Sequence, residues 1–197
     1  MNKQELIEKG LMPKDVVRRY IYENGFEYKI NGKYTLKLLD GTVLCENVDG
    51  CSLYENGFRY EIDGKYTLKL FDGTTLCEGV DWCYLYDNAF KYRIDGKYTL
   101  KLLDGTALCE GVDYCFLYKN GFEYEINGKY TLKLFDGTTL CEGVDWCQLY
   151  NNGLGYSIND KYTLKRLDGT VLCKNIDEYY LQSKIFEYDI NGKRTSN

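Results

Sequence analysis

The chain has 197 residues, enough for one large domain or two small ones, and its 21 tyrosines and single proline favour strands over a disordered polymer. A net charge of −5 with no histidine excludes a general electrostatic attraction to nucleic acid or to anionic membranes. No apolar run reaches the roughly 18 residues of a membrane span, and the charged N-terminus lacks the apolar core of a signal peptide. We therefore expect a cytoplasmic protein, with export that needs no classical signal peptide as the alternative.

The first 15 residues predict a short helical cap. Asn2 followed by Glu5 is typical of a helix start, and Gly10 is typical of a helix end. Leu6 and Leu11 give the segment an apolar side. Because a stack of repeats has exposed ends, we expect this cap to cover the first repeat.

A repeat of 32 residues fills the predicted repeat domain, residues 16–197. Five complete repeats and a truncated sixth start at Tyr22, Tyr54, Tyr86, Tyr118, Tyr150 and Gln182. Segments 62–83 and 126–147 differ only by Asp63 against Asn127, which indicates duplication of a block of two repeats. Each column of equivalent positions is named here by its residue number in the first repeat, so that column 27 contains Glu27 and its equivalents.

Within each repeat the hydrophobic pattern has a period of two, which predicts antiparallel strands. In the first repeat the predicted strands are 26–30, 33–39, 42–46 and 51–54. Asn31-Gly32 and Asp40-Gly41 predict two-residue turns, and 47–50 predicts a loop. Charge varies between repeats in columns 27 and 29, as expected of a solvent-exposed face.

These elements predict an all-β protein in which tandem antiparallel β-meander repeats stack as an open solenoid, and a small β-propeller is the alternative. Residues 16–22 occupy the position of a fourth strand, and residues 186–190 occupy the first-strand position of the sixth repeat. Because these two ends do not complete a sixth propeller blade together, the open stack is favoured.

The segment NGKYTLKLLDGTVL, residues 31–44, resembles the core of WG-type (KWG-like) repeats, which are found mostly in bacterial proteins. In that family an Asn-Gly-Lys-aromatic run leads to a strand, a turn ending in Asp-Gly and another short strand. The likeness covers half of each repeat, and Thr35 stands where the family usually has glycine. The resemblance implies an all-β repeat protein used for binding, without catalytic residues to carry over.

Nine cysteines are the most prominent chemical feature. Four pairs are spaced six residues apart, at Cys45 and Cys51, Cys77 and Cys83, Cys109 and Cys115, and Cys141 and Cys147. Cys173 is alone because Tyr179 takes its partner's position. Core packing, disulfides within repeats and metal binding all fit the pattern. We expect core packing, with no metal and no cofactor, because zinc ligands usually lie closer together and converge in fours.

Charged columns accompany the cysteines. Lysine recurs in columns 33 and 37, and aspartate recurs in column 40. Alternating signs on a solvated face, partly paired, explain these columns. Lysine on strands also discourages edge-to-edge aggregation.

Two aromatic columns flank the second cysteine and are the candidates for binding a partner. Column 50 contains Trp82, Tyr114 and Trp146, and column 52 contains Tyr84 and Phe116. Aromatic rings at a loop-to-strand corner can stack on a sugar, a peptide or a nucleic-acid base, and protein interfaces favour them. The alternative is that these rings fill gaps between repeats.

A repeated unit supplies the same chemical groups many times, whereas catalysis needs unlike groups that converge once. Histidine is absent, so a reactive cysteine would lack its usual base. We therefore predict a non-catalytic scaffold that binds a protein partner through an extended multivalent surface. A carbohydrate-binding module and a structural spacer are the alternatives. We expect no nucleic-acid partner and no membrane insertion.

Overall fold

The computed structural model describes residues 1–151 and 153–177. The chain divides into two compact units, of which the first is Met1–Ala107 and the second starts at Leu108. Tyr179 and the truncated sixth repeat predicted from Gln182 lie outside the described residues.

The first compact unit starts with a helix and continues as strands. The helix α1 is Lys3–Glu8, and the first sheet contains β1 (Arg18–Ile21), β2 (Gly25–Ile30), β3 (Lys33–Leu38) and β4 (Val43–Val48). The second sheet contains β5 (Gly50–Leu53), β6 (Gly57–Ile62), β7 (Lys65–Leu70) and β8 (Thr75–Val80). The third sheet starts with β9 (Trp82–Leu85), β10 (Ala89–Ile94) and β11 (Lys97–Leu102).

The remaining strands repeat the same order. The fourth strand of the third sheet is β12 (Ala107–Val112). The fourth sheet contains β13 (Tyr114–Leu117), β14 (Gly121–Ile126), β15 (Lys129–Leu134) and β16 (Thr139–Val144). The fifth contains β17 (Trp146–Tyr150), β18 (Gly153–Ile158), β19 (Lys161–Arg166) and β20 (Val171–Ile176). The described residues thus form five antiparallel four-stranded sheets, which confirms the all-β repeat architecture.

The boundaries between sheets do not coincide with the boundaries between repeats. The last strand of the first repeat, β5, pairs with β6 in the second repeat, with Leu53 opposite Phe58. A single residue, Asp49, joins β4 to β5. Each sheet therefore takes its first edge strand from the preceding repeat. In the first sheet β1 occupies this position, as the sequence predicts for residues 16–22.

Aspartate at each junction ties the two sheets together. Asp81 accepts a hydrogen bond from the ammonium group of Lys65, 2.5 Å away in its own repeat. Its second oxygen accepts the backbone N–H of Asp95, 2.8 Å away in the next hairpin turn. The same arrangement joins Asp49 to Lys33 and to the backbone of Asp63. The lysines of column 33 thus pair with this junction column, which the sequence analysis did not single out.

The first turn of each repeat has the predicted two-residue geometry. Asn31 and Gly32 both have positive φ, 50° and 82°, as a hairpin turn of this type requires. In the fifth repeat Asn159 is followed by Asp160 instead of glycine, and Asp160 still has a φ of 58°.

The second turn is longer than predicted. The N–H of Leu38 donates to the carbonyl oxygen of Thr42 at 2.9 Å, so three residues, 39–41, form the loop. The Asp40 carboxylate accepts the N–H of Thr42 at 2.8 Å, a local bond that favours turns. The prediction of a two-residue turn at Asp40-Gly41 is therefore wrong. Column 40 serves its own turn.

The third strand is also longer than predicted, because it contains a bulge. It runs to Val48 through residues expected to form a loop, and its register with β3 shifts on both sides of Leu36. Asn47 has a φ of 60° at this irregularity. A bulged edge strand pairs poorly with other strands, which protects the sheet edge from aggregation.

The N-terminal cap forms as predicted. The side chain of Asn2 accepts the N–H of Glu5 at 3.1 Å, and the Glu5 carboxylate accepts the N–H of Asn2 at 3.0 Å, which completes a capping box. Leu6 is fully buried and packs with Phe26 and Tyr28 of β2. The helix thereby covers the apolar face of the first sheet.

The hydrophobic core lies between successive sheets of each compact unit. In the first unit, Leu68 and Val80 of the second sheet pack with Leu85 and Phe90 of the third. In the second unit, the equivalent cluster is Leu132, Val144, Cys147, Leu149 and Leu154. This packing of each repeat on its neighbour confirms a stack of meanders. Whether the stack remains open or closes into a ring stays a prediction.

Column 27 does not lie on a solvent-exposed face, and that prediction is wrong. Lys91 and Glu123 are only 9% and 7% exposed, and Glu27 and Arg59 are half-buried. The column lies between successive sheets, where Arg59 Nη1 donates to the carbonyl oxygen of Cys83 at 2.5 Å. Side chains on both faces of the first long strand are therefore covered.

Column 30 shows the opposite difference. Its isoleucines belong to the apolar side of the sequence pattern, yet Ile62 and Ile94 are 47% and 45% exposed. They lie at strand ends beside the hairpin turns, beyond the cover of the neighbouring sheet. Ile30 is more buried because it packs against the cluster around α1.

Candidate functional site

The exposed aromatic rings lie on short edge strands. Tyr84 on β9 is 41% exposed, whereas Cys83 and Leu85 on either side of it are buried at 0% and 4%. Alternation along a strand thus directs column 52 outward while its neighbours enter the core. Phe116 on β13 is likewise exposed, at 44%.

Tyr84 belongs to an aromatic cluster in the first compact unit, which we call the Tyr84 cluster. Its ring centroid lies 5.3 Å from that of Tyr54 and 4.9 Å from that of Tyr86, both near edge-on. It is stacked 6.3 Å from Trp82 with an interplanar angle of 12°. Such offset and edge-on contacts hold the rings in fixed orientations.

A cleft of about 200 Å³ lies beside this cluster, between the second and third sheets. Tyr54, Tyr84 and Tyr86 supply its apolar lining, and Glu55 and Asp87 supply carboxylates. An equivalent cleft of about 530 Å³ between the first and second sheets is lined by Tyr22 and Tyr54 together with Glu23 and Glu55. The corners between sheets therefore combine aromatic surface with negative charge.

The two predicted tryptophans are less accessible than column 52. Trp82 is half-buried, its ring lies edge-on to Tyr98 at 6.3 Å, and the Lys91 ammonium is 5.5 Å from the ring centroid. In the second compact unit Trp146 is also half-buried, 5.7 Å from Tyr162. Their placement resembles packing between sheets more than an open stacking platform.

The predicted residues of the second compact unit lie on β13 and β17. Tyr114 is 38% exposed. Phe116 contacts Tyr118 edge-on at 4.9 Å, as Tyr84 contacts Tyr86. Each compact unit therefore presents an exposed ring of column 52 supported by the tyrosine two residues further on.

A buried polar group that the sequence analysis missed lies beneath these rings. The hydroxyl of Tyr118 donates to Glu123 Oε2 at 2.7 Å, and the Cys147 thiol is 3.6 Å from the same oxygen. Burial raises the pKa of the Glu123 carboxyl above its usual range. Glu27 makes the same contacts with Tyr22 and Cys51 in the first compact unit. The variable charge in column 27 was the available signal.

The cysteines are free thiols in the structure. Cys83 and Cys147 belong to hydrophobic clusters, as the packing interpretation predicts. Within the described ranges, no group of three histidine, cysteine or carboxylate side chains is placed to hold a metal ion. No helix in the same part of the chain is long and apolar enough to cross a membrane.

No family model matches the sequence, and no curated protein matches it either. Hsv2p of Kluyveromyces lactis is 7% identical with a TM-score of 0.38, and the alignment covers 81% of this chain and 63% of that chain. A eukaryotic initiation factor is 12% identical with a TM-score of 0.47, covering 81% and 55%. The computationally designed Ika4 protein is 14% identical with a TM-score of 0.33, covering 65% and 90%. At these low TM-scores the likeness carries no argument about function, and the resemblance to WG-type repeats stays a prediction.

Proposed function

We propose that the protein is a non-catalytic interaction scaffold that binds another protein through the exposed aromatic rings of column 52. The Tyr84 cluster carries the proposal, because it holds an exposed ring in a fixed orientation beside a cleft. Tyrosine and tryptophan are enriched among the residues that dominate binding energy at protein interfaces. A ring already held by its neighbours loses little conformational entropy when it binds.

Repetition supports a multivalent mode of binding. Phe116 presents an equivalent ring in the second compact unit. When one contact has formed, the next becomes intramolecular, so several weak contacts can give a tight complex. The proposal assigns no catalytic role, because the carboxylate and thiol groups recur in equivalent surroundings in several repeats.

The chain itself offers substitutions that preserve the fold. Ser52 and Gln148 occupy column 52 in other repeats, so Tyr84→Ser and Phe116→Gln each place a residue that the same strand position already accepts. Ile62→Thr is the matched control, since Ile62 is as exposed as Tyr84 but lies outside column 52.

The test measures binding to a partner first captured by crosslinking to the wild-type chain and then purified. We expect each column 52 substitution to weaken binding about tenfold, in line with interface hot spots of 1–2 kcal/mol. Ile62→Thr should bind as the wild type does. A double variant with unchanged affinity would refute the proposal.

Carbohydrate binding is the second candidate, because the cleft beside Tyr84 combines rings with the polar groups of Glu55, Asn56 and Asp87. A glycan panel monitored by the fluorescence of Trp82 and Trp146 separates the two functions. A sugar-dependent change lost in Tyr84→Ser would favour the carbohydrate function. A spacer would bind neither kind of partner.

A further inference from the structure

Thiol pairs connect successive sheets across the one-residue junctions. In the described contacts, the two thiols of each pair are hydrogen-bonded to one another between β4 and β5 (Cys45 and Cys51), β8 and β9 (Cys77 and Cys83), and β16 and β17 (Cys141 and Cys147). Sulfur atoms already in contact need little movement to form a covalent bond.

The charge beside each pair differs, and column 27 determines it. Arg59 lies against Cys83 and donates a 2.5 Å hydrogen bond to its carbonyl oxygen, 24 residues along the chain. At the same spacing, a carboxylate oxygen of Glu123 lies 3.6 Å from the Cys147 thiol. Glu27 contacts Cys51 in the same way. One pair therefore faces a cation, and two face an anion.

This difference matters because the thiolate is the reactive form of cysteine. The hydrogen bond from Cys77, and then the positive charge of Arg59, lower the pKa of the Cys83 thiol. The hydrogen bond with Cys141, then burial and the charge on Glu123, raise the pKa of the Cys147 thiol. Within a pair one proton is shared, so the charge outside the pair decides how readily the pair loses it.

We infer that Cys77 and Cys83 form a reactive dithiol that small disulfide compounds convert into a cross-link between the second and third sheets. The Cys141 and Cys147 pair reacts far more slowly because Glu123 faces it. The two sites are otherwise closely matched, since segments 62–83 and 126–147 differ at one residue. Cys83 and Cys147 are also similarly buried, at 0% and 3% exposed.

The reaction is thiol–disulfide exchange and needs only a disulfide as oxidant. The partly exposed Cys77 sulfur, as thiolate, attacks one sulfur of oxidised glutathione, forming a mixed disulfide and releasing one glutathione thiolate. Cys83 then loses its proton and attacks the Cys77 sulfur, which forms the protein disulfide and releases the second glutathione thiolate. Both released thiolates are protonated by the two protons that the cysteines lost, so the protein is oxidised by two electrons and glutathione disulfide is reduced. The cross-link fixes β9, the strand that carries Tyr84, to β8.

The experiment incubates the native full chain with oxidised glutathione, quenches with acid and alkylates the remaining thiols. Trypsin then leaves each pair within one peptide, residues 70–91 for Cys77 and Cys83 and residues 134–161 for Cys141 and Cys147. Mass spectrometry reports the fraction of each peptide that carries a disulfide and no alkyl group. We expect the first peptide to oxidise on the order of tenfold faster, the effect of one pKa unit on thiolate population.

Charge substitutions test the cause. Glu123→Gln should raise the rate at Cys141 and Cys147 toward that at Cys77 and Cys83. Arg59→Glu should lower the rate at Cys77 and Cys83, and Arg59→Lys should retain it. Equal rates in the wild type, or rates that follow global unfolding in urea for both peptides, would overturn the inference. So would rates that none of the three substitutions changes.

Discussion

At residue 160 an aspartate adopts a backbone conformation that favours glycine. The second turn position is glycine in the four preceding repeats, as at Gly128, but Asp160 has a φ of 58°. A residue with a side chain is strained in this region, by about 1 kcal/mol for most residues and less for aspartate.

We expect Asp160→Gly to raise the free energy of unfolding by about 0.5 kcal/mol, since relief of strain exceeds the added entropy of the unfolded chain. Gly128→Asp in the same compact unit should lower it by a similar amount. Urea denaturation of both variants provides the measurement. A loss of stability in Asp160→Gly would show that the aspartate side chain stabilises the turn by more than its strain costs.

Glu123 makes stability depend on pH in an unusual direction. Burial raises the pKa of its carboxyl in the folded state. The stability from such a group is complete below the unfolded pKa, about 4.3. It is lost as pH rises through the higher folded pKa, because the folded state then gives up a proton that it held more tightly.

Glu123→Gln should therefore be more stable than the wild type near pH 7.5, by up to about 1 kcal/mol once solvent screening is included. Glutamine keeps an oxygen that can accept from Tyr118, so the hydrogen bond survives. The difference should vanish near pH 4, where the wild-type carboxyl is protonated in both states. Urea unfolding at both pH values, wild type against variant, checks the sign.

The same residue shows why column 27 was misjudged from sequence. Variable charge in a strand usually marks a solvent-exposed face, and alternation cannot distinguish solvent from a polar layer between two sheets. Glu123 is acceptable there because Tyr118 and Cys147 contact its carboxylate. Partners that lie 24 residues away are invisible in a period-two pattern.

At the scale of the elements, each junction aspartate joins two sheets. Asp81 binds the Lys65 ammonium group and the Asp95 backbone N–H with different oxygens. These contacts lower the pKa of Asp81, so their contribution is present above the usual aspartate pKa and is lost as pH falls through the folded value.

Asp81→Ala should lower the urea midpoint more than Lys65→Ala does. The lysine variant removes only an exposed ion pair, which contributes little, whereas the aspartate variant also releases the next hairpin turn. Amide hydrogen exchange at Asp95 locates the effect, and it should accelerate in Asp81→Ala but not in Lys65→Ala. Equal acceleration in both variants would show that the ion pair, rather than the bond to the turn, holds the hairpin.

The sequence predicted the elements better than their limits. Asn31-Gly32 predicted its hairpin because both residues accept positive φ. The loop at 39–41 and the bulge near Asn47 were missed, because both depend on hydrogen bonds across the sheet that local composition does not reveal.

For the whole molecule, the period of 32 residues was sufficient to predict an all-β stack of meanders with an N-terminal cap. It could not predict where one sheet ends and the next begins. A repeat reads the same from any starting residue, and only the pairing of β5 with β6 places the boundary at Asp49. The predicted binding residues divide along this boundary, with column 52 exposed beyond it and the tryptophans of column 50 half-buried.

The one-residue junction also bears on how such a chain can change in length. Each aspartate meets a lysine 16 residues before it and a turn 14 residues after it, so both partners lie within a single period on either side. A copied repeat therefore brings its own lysine and aspartate and finds a turn waiting in the next copy. Insertions of any other length inside this span would separate the partners. Recombination can thus lengthen or shorten the array in whole steps, and the near-identity of segments 62–83 and 126–147 fits the trace of one such step.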